Sequence, residues 1–317
     1  MIFSPVPLVR LVATATFALL TIPALAQSNV SLYGRINTSI ENQKDGSGQR
    51  VTALNDNASR LGIRVNESLG SGLFAGIQLE SGFDSSTGAN ASAGAFFNRR
   101  SHIDFGSSRF GSVRMGLWLP GSYFAIADYV SLHNHDTGRS ADALYSFVAF
   151  TKTNKIAYIS PNWMGFRTEV SIALGERAAK NTIDVSAQYD VGSWHLGTAY
   201  ASQSNKEQFA IRALYDWNQW TLGGYVQREN VESSLNGDSR KIARLVAMYK
   251  WGQSEVHLNG GYTQRGGSQS ERAAQYTLAY NYNLSKRTKL YTYYTAIDSA
   301  SKIKSSDSFA VGVRHNF

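Results

Sequence analysis

The sequence predicts an all-β protein, built as a 16-stranded antiparallel transmembrane β-barrel. Three features of the chain support this fold class. Segments of about ten residues alternate apolar and polar side chains, the connections between them alternate between short and long, and the chain ends in a two-faced strand. Together these features are typical of barrels that turn an apolar face to lipid and a polar face to the interior.

Composition excludes several other classes of protein. Of the 317 residues, 43% are hydrophobic, and the mean hydropathy of −0.27 is too low for a bundle of membrane-spanning helices. An aromatic content of 12% argues against disorder, because such a chain can bury ample apolar surface. Since the chain has no cysteine, a disulfide scaffold, a zinc–thiolate site and a thiol nucleophile are excluded.

The first 26 residues are predicted to be a secretory signal peptide. Arg10 supplies a positive charge, an apolar run spans 11–22, and Ala-Leu-Ala at 24–26 fits the small-x-small pattern of a cleavage site. The apolar run is shorter than the roughly 20 residues that a membrane-spanning helix needs. We therefore expect export and a mature barrel domain over 27–317, whose 30 basic and 23 acidic residues give a net charge of +7.

The mature chain shows the alternation of a two-faced strand throughout. Within 30–40 the even positions are mostly apolar and the odd positions mostly polar, which is the period of a β-strand. The segments 60–66 and 73–80 repeat it. The same pattern continues in nine further segments, 182–191, 194–203, 209–217, 220–228, 241–251, 255–264, 273–283, 288–297 and 308–317.

The connections between these segments predict two unlike ends of the sheet. The short connections are 69–72, 107–111, 162–165, 192–193, 216–219, 252–253 and 284–287. The longer, polar connections are 42–57, 85–94, 120–150, 230–238, 265–270 and 298–305. A β-sandwich needs no such asymmetry, whereas membrane barrels have short turns at one rim and long loops at the other. Counting strands between the connections gives sixteen.

The C-terminal segment presents one apolar face that ends on an aromatic ring. Phe309, Val311, Val313, His315 and Phe317 share this face. The alternative is an ordinary edge strand, but an apolar edge at a free terminus invites aggregation unless it is paired. We expect it to pair with the first strand and close the barrel.

The same alternation places a set of arginines inside the barrel, where permanent charge would act on solutes. These arginines are Arg35, Arg60 and Arg64 on the first two strands, with Arg114 as a further candidate. Arg99 and Arg100 are neighbours and should point in opposite directions. If Ile103 and Phe105 face outward, strand parity puts Arg100 inside.

The sequence resembles the general-diffusion porins of Gram-negative outer membranes, most closely the family common in β-proteobacteria. The resemblance covers essentially the whole mature chain. It is carried, in order, by Ser31-Leu-Tyr-Gly-Arg35, Ser59-Arg-Leu-Gly-Ile-Arg64, Leu69-Gly-Ser-Gly-Leu73, Gln78-Leu-Glu-Ser-Gly-Phe83, Phe97-Asn-Arg99, Phe110-Gly-Ser-Val-Arg114, Ile156-Ala-Tyr-Ile-Ser-Pro161, Gly165-Phe166 and Val313-Arg-His-Asn-Phe317.

The resemblance implies a homotrimer whose long third loop, 120–150, folds into the lumen and narrows it. It matches Arg99, rather than Arg100, to the arginine wall of the family. It also implies loop acids opposite that wall, for which we select Asp128, Asp136 and Asp142. Outer-membrane lipid and the barrel-insertion machinery are further implied partners, the latter recognising the C-terminal face as an insertion signal after transit through the periplasm.

The predicted function is a water-filled channel for passive diffusion of small hydrophilic solutes and ions, with a modest preference for anions. The alternative is an adhesin or structural barrel with a plugged lumen. A metal site at His133-Asn-His135-Asp136 and an enzyme built on Ser131 and His133 are weaker hypotheses, because no further ligand or nucleophile motif accompanies them. We expect no cofactor, and the scattered basic residues do not predict nucleic-acid binding.

Overall fold

The computed structural model describes residues 28–44, 47–133, 144–145, 150–177, 179–230, 239–264, 272–299 and 305–317. Most of these residues belong to one antiparallel sheet. In chain order its strands are β1 Ser28–Lys44, β2 Arg50–Asp56, β3 Arg60–Gly70, β4 Leu73–Gly82, β5 Arg100–Ser107, β6 Gly111–Leu117, β7 Lys155–Ile159, β8 Phe166–Ala173, β9 Thr182–Val191, β10 Trp194–Gln203, β11 Lys206–Trp217, β12 Trp220–Asn230, β13 Arg240–Trp251, β14 Ser254–Thr263, β15 Ala273–Asn283, β16 Thr288–Ser299 and β17 Ser306–Asn316.

The sheet closes on itself through its first and last strands. β1 pairs with β17 along one edge, and with both β2 and β3 along the other. β2 and β3 lie end to end beside β1, so they form one interrupted strand, and the seventeen segments of the described chain make sixteen barrel strands. The predicted 16-stranded antiparallel barrel is confirmed. A closed barrel leaves no sheet edge exposed, which removes the aggregation hazard of the apolar last strand.

Hydrogen bonds of the buried Asn57 stabilise the interruption between β2 and β3, where Ala58 adopts a φ of 59°. Asn57 donates from its Nδ2 to Ser39 Oγ at 2.7 Å and to the Tyr291 hydroxyl at 3.1 Å. Asn37 Nδ2 in turn donates to the Asn57 carbonyl oxygen at 2.9 Å. These bonds satisfy polar groups that the broken ladder would otherwise leave unpaired.

The first hairpin is longer than the sequence predicted. The predicted loop 42–57 is largely strand, because β1 continues to Lys44 and pairs with β2 in register. Polar contacts replace the apolar alternation in this part of the ladder. Arg50 Nη1 donates to Asn42 Oδ1 at 2.6 Å, and Arg50 Nη2 pairs with Asp307 Oδ1 at 2.7 Å. The loss of apolar alternation, which suggested a loop, instead reflects a strand pair held by polar side chains.

The two faces of β17 follow the predicted alternation. Phe309 is 51% exposed and Val311 is 55% exposed on the outer face, whereas Ser308 on the inner face is fully buried. The ladder is completed at the terminus, where the Phe317 backbone nitrogen donates to the Gly34 oxygen at 3.1 Å and the Gly34 nitrogen donates to the Phe317 oxygen at 3.0 Å. The Phe317 ring lies where a Gly34 Cβ would be, so only glycine fits beneath it.

Exposed aromatic side chains gather near the short turns. They contact one another as Trp163–Phe166, Trp194–Tyr215, Trp220–Tyr249, Tyr249–Trp251 and Trp251–Tyr280, with ring centroids 4.7 to 6.3 Å apart. Aromatic girdles of this kind mark the level of the membrane–water interface on barrels. Within the ranges that the structure describes, no helix combines the length and apolarity needed to cross a membrane.

Candidate functional site

A cavity of about 580 Å³ opens inside the barrel beside β1, β3, β4, β16 and β17. Its lining is strongly basic. The described lining includes two acidic side chains, those of Glu80 and Asp128, the C-terminal residue Phe317, and seven basic side chains, those of Arg35, Arg60, Arg64, Arg99, Arg100, Lys289 and Arg314. A water-filled space with this excess of positive charge attracts anions and repels cations.

Three of the predicted arginines lie together on this wall. Arg35 and Arg60 are directly opposite each other in the β1–β3 ladder, and the Arg64 guanidinium lies 5.1 Å from the centroid of the Tyr33 ring. Arg35 Nε donates to Asn316 Oδ1 at 3.1 Å, which ties the wall to the last strand. Like charges directly opposite in a ladder are unfavourable. The barrel therefore maintains a concentration of positive charge that folding alone does not require.

Both Arg99 and Arg100 reach the cavity. Strand parity admits only one of two neighbours, but Arg99 lies in the bend before β5 and is free of that constraint. Arg99 Nε donates to Glu80 Oε1 at 2.7 Å, so its charge is partly balanced. The Arg100 guanidinium lies 5.2 Å from the centroid of the Phe124 ring, a cation–π distance. Arg100 thus joins the basic wall to the third loop.

Arg114 is placed apart from the other predicted arginines. It lies on β6 outside the lining of the cavity. Its Nε and Nη2 donate to the two oxygens of Asp104 at 2.7 and 3.1 Å, and its guanidinium lies 5.5 Å from the centroid of a Trp118 ring. A bidentate carboxylate offsets its charge locally. Arg114 therefore contributes less to the field of the cavity than the alternation suggested.

The described part of the third loop lies against the inner wall of the barrel. It begins with a short helical segment, made of an α-helical turn at Gly121–Tyr123 and a π-helical turn at Phe124–Asp128. We call 121–133 the loop-three segment. Its residues Asp128 and His133 line the same cavity as the arginines. Asp136 and Asp142, the other two predicted acids, lie outside the described residues.

Apolar packing holds the loop-three segment in place. Ala125, Ile126, Ala127 and Val130 are fully buried. They pack on apolar side chains that face inward from β10 to β13, namely Ala199, Ala210, Leu214, Tyr225, Ile242 and Val246. A barrel interior is usually polar. We call this apolar patch of the inner wall the apolar seat, because the loop-three segment packs on it.

Polar contacts fix the two ends of the helical segment. At its start, the Ser122 backbone nitrogen donates to Asp184 Oδ1 at 3.0 Å. At its end, the Tyr129 hydroxyl donates to Asp190 Oδ1 at 2.8 Å, and the Arg212 guanidinium lies 3.5 Å from the centroid of the Tyr129 ring. Burial, together with Asp190, raises the pKa of the Tyr129 hydroxyl, which keeps it protonated as the donor.

A histidine bridge supports the Tyr129 contact. His195 Nδ1 lies 2.9 Å from Asp190 Oδ1, and its Nε2 lies 3.1 Å from Asp216 Oδ2. Carboxylates accept hydrogen bonds, so both bonds form only when the imidazole carries two protons. The two carboxylates lie at opposite nitrogens of one ring and do not converge on a common point, as metal ligands would.

His133 ends the described segment in a buried position. Its ring lies 5.4 Å from that of His257 and 5.6 Å from that of Tyr293, measured between centroids. Burial, with His257 and Lys289 nearby, lowers the pKa of His133 to about 3, so it is neutral near pH 7. Within the described residues, no group of three His, Asp or Glu side chains is placed to hold a metal ion. His135 and Asp136, the rest of the hypothetical metal motif, lie outside them.

Several residues of the site were missed by the sequence analysis. Lys289 and Arg314 belong to the basic wall, and Glu80 is its described counter-charge on β4. Strand parity was the available signal, because all three occupy inward positions of two-faced strands. The apolar seat was also detectable, since Ile242 and Val246 occupy the inward positions of β13 where polar residues are expected.

The sequence is similar to a protein-family profile and to several individual proteins. A family profile described as Gram-negative porin matches residues 13–301. Outer membrane porin protein 32 of Delftia acidovorans is 30% identical over 301 residues, covering 84% of this chain and 83% of that protein. Major outer membrane protein P.IB of Neisseria meningitidis serogroup B is 26% identical, covering 94% and 87%.

Solved structures show the same architecture. An anion-selective porin from Comamonas acidovorans superposes with a TM-score of 0.81 at 26% identity, covering 92% of this chain and all of that one. The trimer form of in-vitro folded OmpT from Vibrio cholerae gives a TM-score of 0.70 at 13% identity, covering 92% and 99%. At that identity the second likeness concerns the fold alone.

Proposed function

The chain belongs to the family of Gram-negative porins, and from that premise we propose that its lumen prefers anions among the small hydrophilic solutes that it passes. Outer-membrane location and passive diffusion follow from the family and the barrel. We further propose that residues 1–26 direct export and are removed, which leaves the barrel domain 27–317.

The excess of seven basic over two acidic side chains around the described cavity carries the selectivity proposal. Arginine keeps its charge at any physiological pH, so the field does not titrate away. Asp128 and the Arg99–Glu80 pair reduce this field without cancelling it. The solved relative from Comamonas acidovorans, described as anion-selective, supports the same direction.

Liposome swelling and planar-bilayer recording test this function together. We expect folded protein to let small sugars swell liposomes, and a salt gradient to give a reversal potential of the anion-selective sign. Folded protein that causes no swelling would favour the alternative of an adhesin or structural barrel with a plugged lumen. A clear preference for cations would contradict the selectivity proposal while leaving the channel intact.

We also propose that the protein assembles as a homotrimer. Gly34, Thr38 and Ser101 are small residues at positions where lipid contact would favour larger ones. The structure accounts for two of them within one chain, since the Phe317 ring covers Gly34 and Thr38 bonds to Ser85. The proposal therefore rests mainly on membership of the Gram-negative porin family.

A mass measurement in mild detergent checks the oligomeric state. We expect three chains per particle, and dissociation to single folded barrels only under harsher conditions. Light scattering corrected for bound detergent, or native mass spectrometry, gives the number directly. A single chain per particle in every mild detergent would rule the trimer out.

The C-terminal face is proposed to act as the signal for insertion by the barrel-insertion machinery. We expect deletion of Phe317 to reduce the amount of folded protein in the outer membrane, because the ring and the two backbone bonds to Gly34 close the barrel. Surface levels and heat-modifiable gel mobility measure this effect. Phe317→Tyr, which keeps the ring, is the control and should insert nearly normally.

Channel properties separate an insertion defect from a pore defect. The fraction of the Phe317 deletion protein that does insert should conduct much like the parent, because the basic side chains and Asp128 that line the cavity remain in place. Normal surface levels of the deletion protein would contradict the proposed signal.

A further inference from the structure

The cavity presents apolar surface as well as positive charge. The loop-three segment turns Ile126 and Val130 into the apolar seat, and its other residues border the lumen, where polar side chains are expected. Phe124 and Leu132 nevertheless line the cavity, each only partly buried, and Leu119 lines it just before the segment. Apolar surface in contact with water is unfavourable, so the cavity favours a solute with an apolar part that covers this surface.

A tyrosine ring adds an aromatic surface to the basic wall itself. Tyr33 lies across Gly62 on the neighbouring strand, where a Cβ would collide with the ring. The Tyr33 hydroxyl donates to Glu80 Oε2 at 2.9 Å and accepts from Gln78 Nε2 at 2.6 Å, so the ring is held from its far end. Tyr33 thus provides a fixed aromatic surface among the guanidinium groups that line the cavity.

Each of the two aromatic rings, Tyr33 and Phe124, lies beside an arginine. The Arg64 guanidinium lies 5.1 Å from the centroid of the Tyr33 ring. The Arg100 guanidinium lies 5.2 Å from the centroid of the Phe124 ring. A guanidinium can stack on an aromatic face while its N–H groups bind a carboxylate. The cavity therefore offers both kinds of contact that a flat ring bearing a carboxylate makes, and its volume of about 580 Å³ is typical of sites for small organic molecules.

We propose that aromatic carboxylates are the solutes that this channel prefers, with the carboxylate on the basic wall and the ring against Tyr33 and Phe124. The inference rests on the proposed anion selectivity and adds to it the chemical class of the anion. Chloride satisfies only the charge, and an aliphatic carboxylate of the same size lacks the flat aromatic surface. Weak binding is sufficient, because a channel must release the solute that it binds.

Competition with chloride current in a planar bilayer tests this preference. A solute that dwells in the lumen reduces the current carried by KCl, and the dependence of this reduction on solute concentration gives an apparent Kd. Benzoate is compared with cyclohexanecarboxylate, which has the same charge without an aromatic ring, and with benzamide, which has the ring without the charge. We expect benzoate to bind roughly fivefold more tightly than cyclohexanecarboxylate, and benzamide to bind most weakly.

Exchanging each ring for leucine separates aromatic contact from apolar contact. Tyr33→Leu and Phe124→Leu should each reduce the advantage of benzoate over cyclohexanecarboxylate to about twofold, and the double variant should nearly abolish it. Tyr33→Phe returns the ring without the hydroxyl and should recover the advantage. Phe105→Leu is the matched control, because this ring is 54% exposed on the outer wall, and it should bind both solutes like the parent. Gel mobility before and after heating verifies folding, and a steady single-channel conductance shows that the third loop stays seated.

The reversal potential in a KCl gradient distinguishes failure of this inference from failure of the proposed function. A channel that prefers chloride to potassium but binds benzoate and cyclohexanecarboxylate equally would overturn the inference and leave the anion selectivity standing. A channel that prefers potassium would overturn both. Folded leucine variants with steady conductance and an undiminished advantage for benzoate would also overturn the inference, because neither ring would then contact the solute.

Discussion

Replacing Arg60 and Arg64 together with glutamine should move the reversal potential of the channel toward the cation-selective sign. Both side chains line the cavity, and the described lining contains seven basic side chains against two acidic ones. Removing two charges leaves five, of which Arg99 is paired with Glu80. Selectivity follows the charge close to the narrow part of a pore, so the effect should far exceed that of distant charges. The measurement is the reversal potential in a planar bilayer under a KCl gradient.

A matched control separates local field from net charge. Arg109→Gln/Arg287→Gln removes the same two charges from short turns, which lie beyond the cavity lining. Its reversal potential should stay near that of the parent, because the Debye length is about 8 Å at physiological salt. Asp128→Asn should shift the potential the opposite way. Raising the salt concentration should shrink all these shifts, and arginine variants that leave the potential unchanged would show that another region selects the ions.

The strands were predictable because one physical rule governs them. Lipid on one side and water on the other force a period of two, and this rule gave the bounds of β9, β10 and β15 as the structure has them. The rule fails where a strand pair extends on polar contacts. Around Arg50 and Asn42 the alternation fades, and the sequence predicted a loop where the structure has paired strands.

The basic wall was predictable only in part. Parity places Arg35, Arg60 and Arg64 inside, and the structure brings all three to one cavity. Parity says nothing about how far along the barrel an inward residue lies, so it could not separate Arg114 from the others. Parity also cannot predict the direction of the Arg99 side chain, because a residue in the bend before a strand belongs to neither face of that strand.

The seat of the third loop is a long-range feature that local pattern reading misses. The loop-three segment packs on residues far away in sequence, such as Ile242 and Val246 of β13. Apolar side chains at inward positions look like errors in the alternation until the loop that covers them is known. In a barrel, apolar side chains at inward positions therefore indicate that a segment of the chain packs against the inner wall.

Introducing a carboxylate at the centre of this seat should release the loop and make the channel unsteady. Ile126 is fully buried between the helical segment and the barrel wall. Even Ile126→Ala should cost about 2–5 kcal/mol of packing, and Ile126→Asp adds an unpaired buried charge, which is costlier still. Phe124, Asp128 and His133 line the cavity from this segment, so its release removes a fixed boundary of the pore. We expect several conductance levels and greater open-channel noise in single-channel records.

Ile126→Leu is the matched control, because a swap that conserves volume should cost less than about 1.5 kcal/mol and keep the loop seated. The barrel itself should fold in both variants, since its closure depends on the backbone ladder from β1 to β17 and not on the loop. Heat-modifiable mobility verifies folding, and faster proteolysis of Ile126→Asp within the loop gives a second readout. If Ile126→Asp is folded and conducts as quietly as Ile126→Leu, then the apolar seat is not what holds the loop, and the polar contacts of Ser122 and Tyr129 must hold it by themselves.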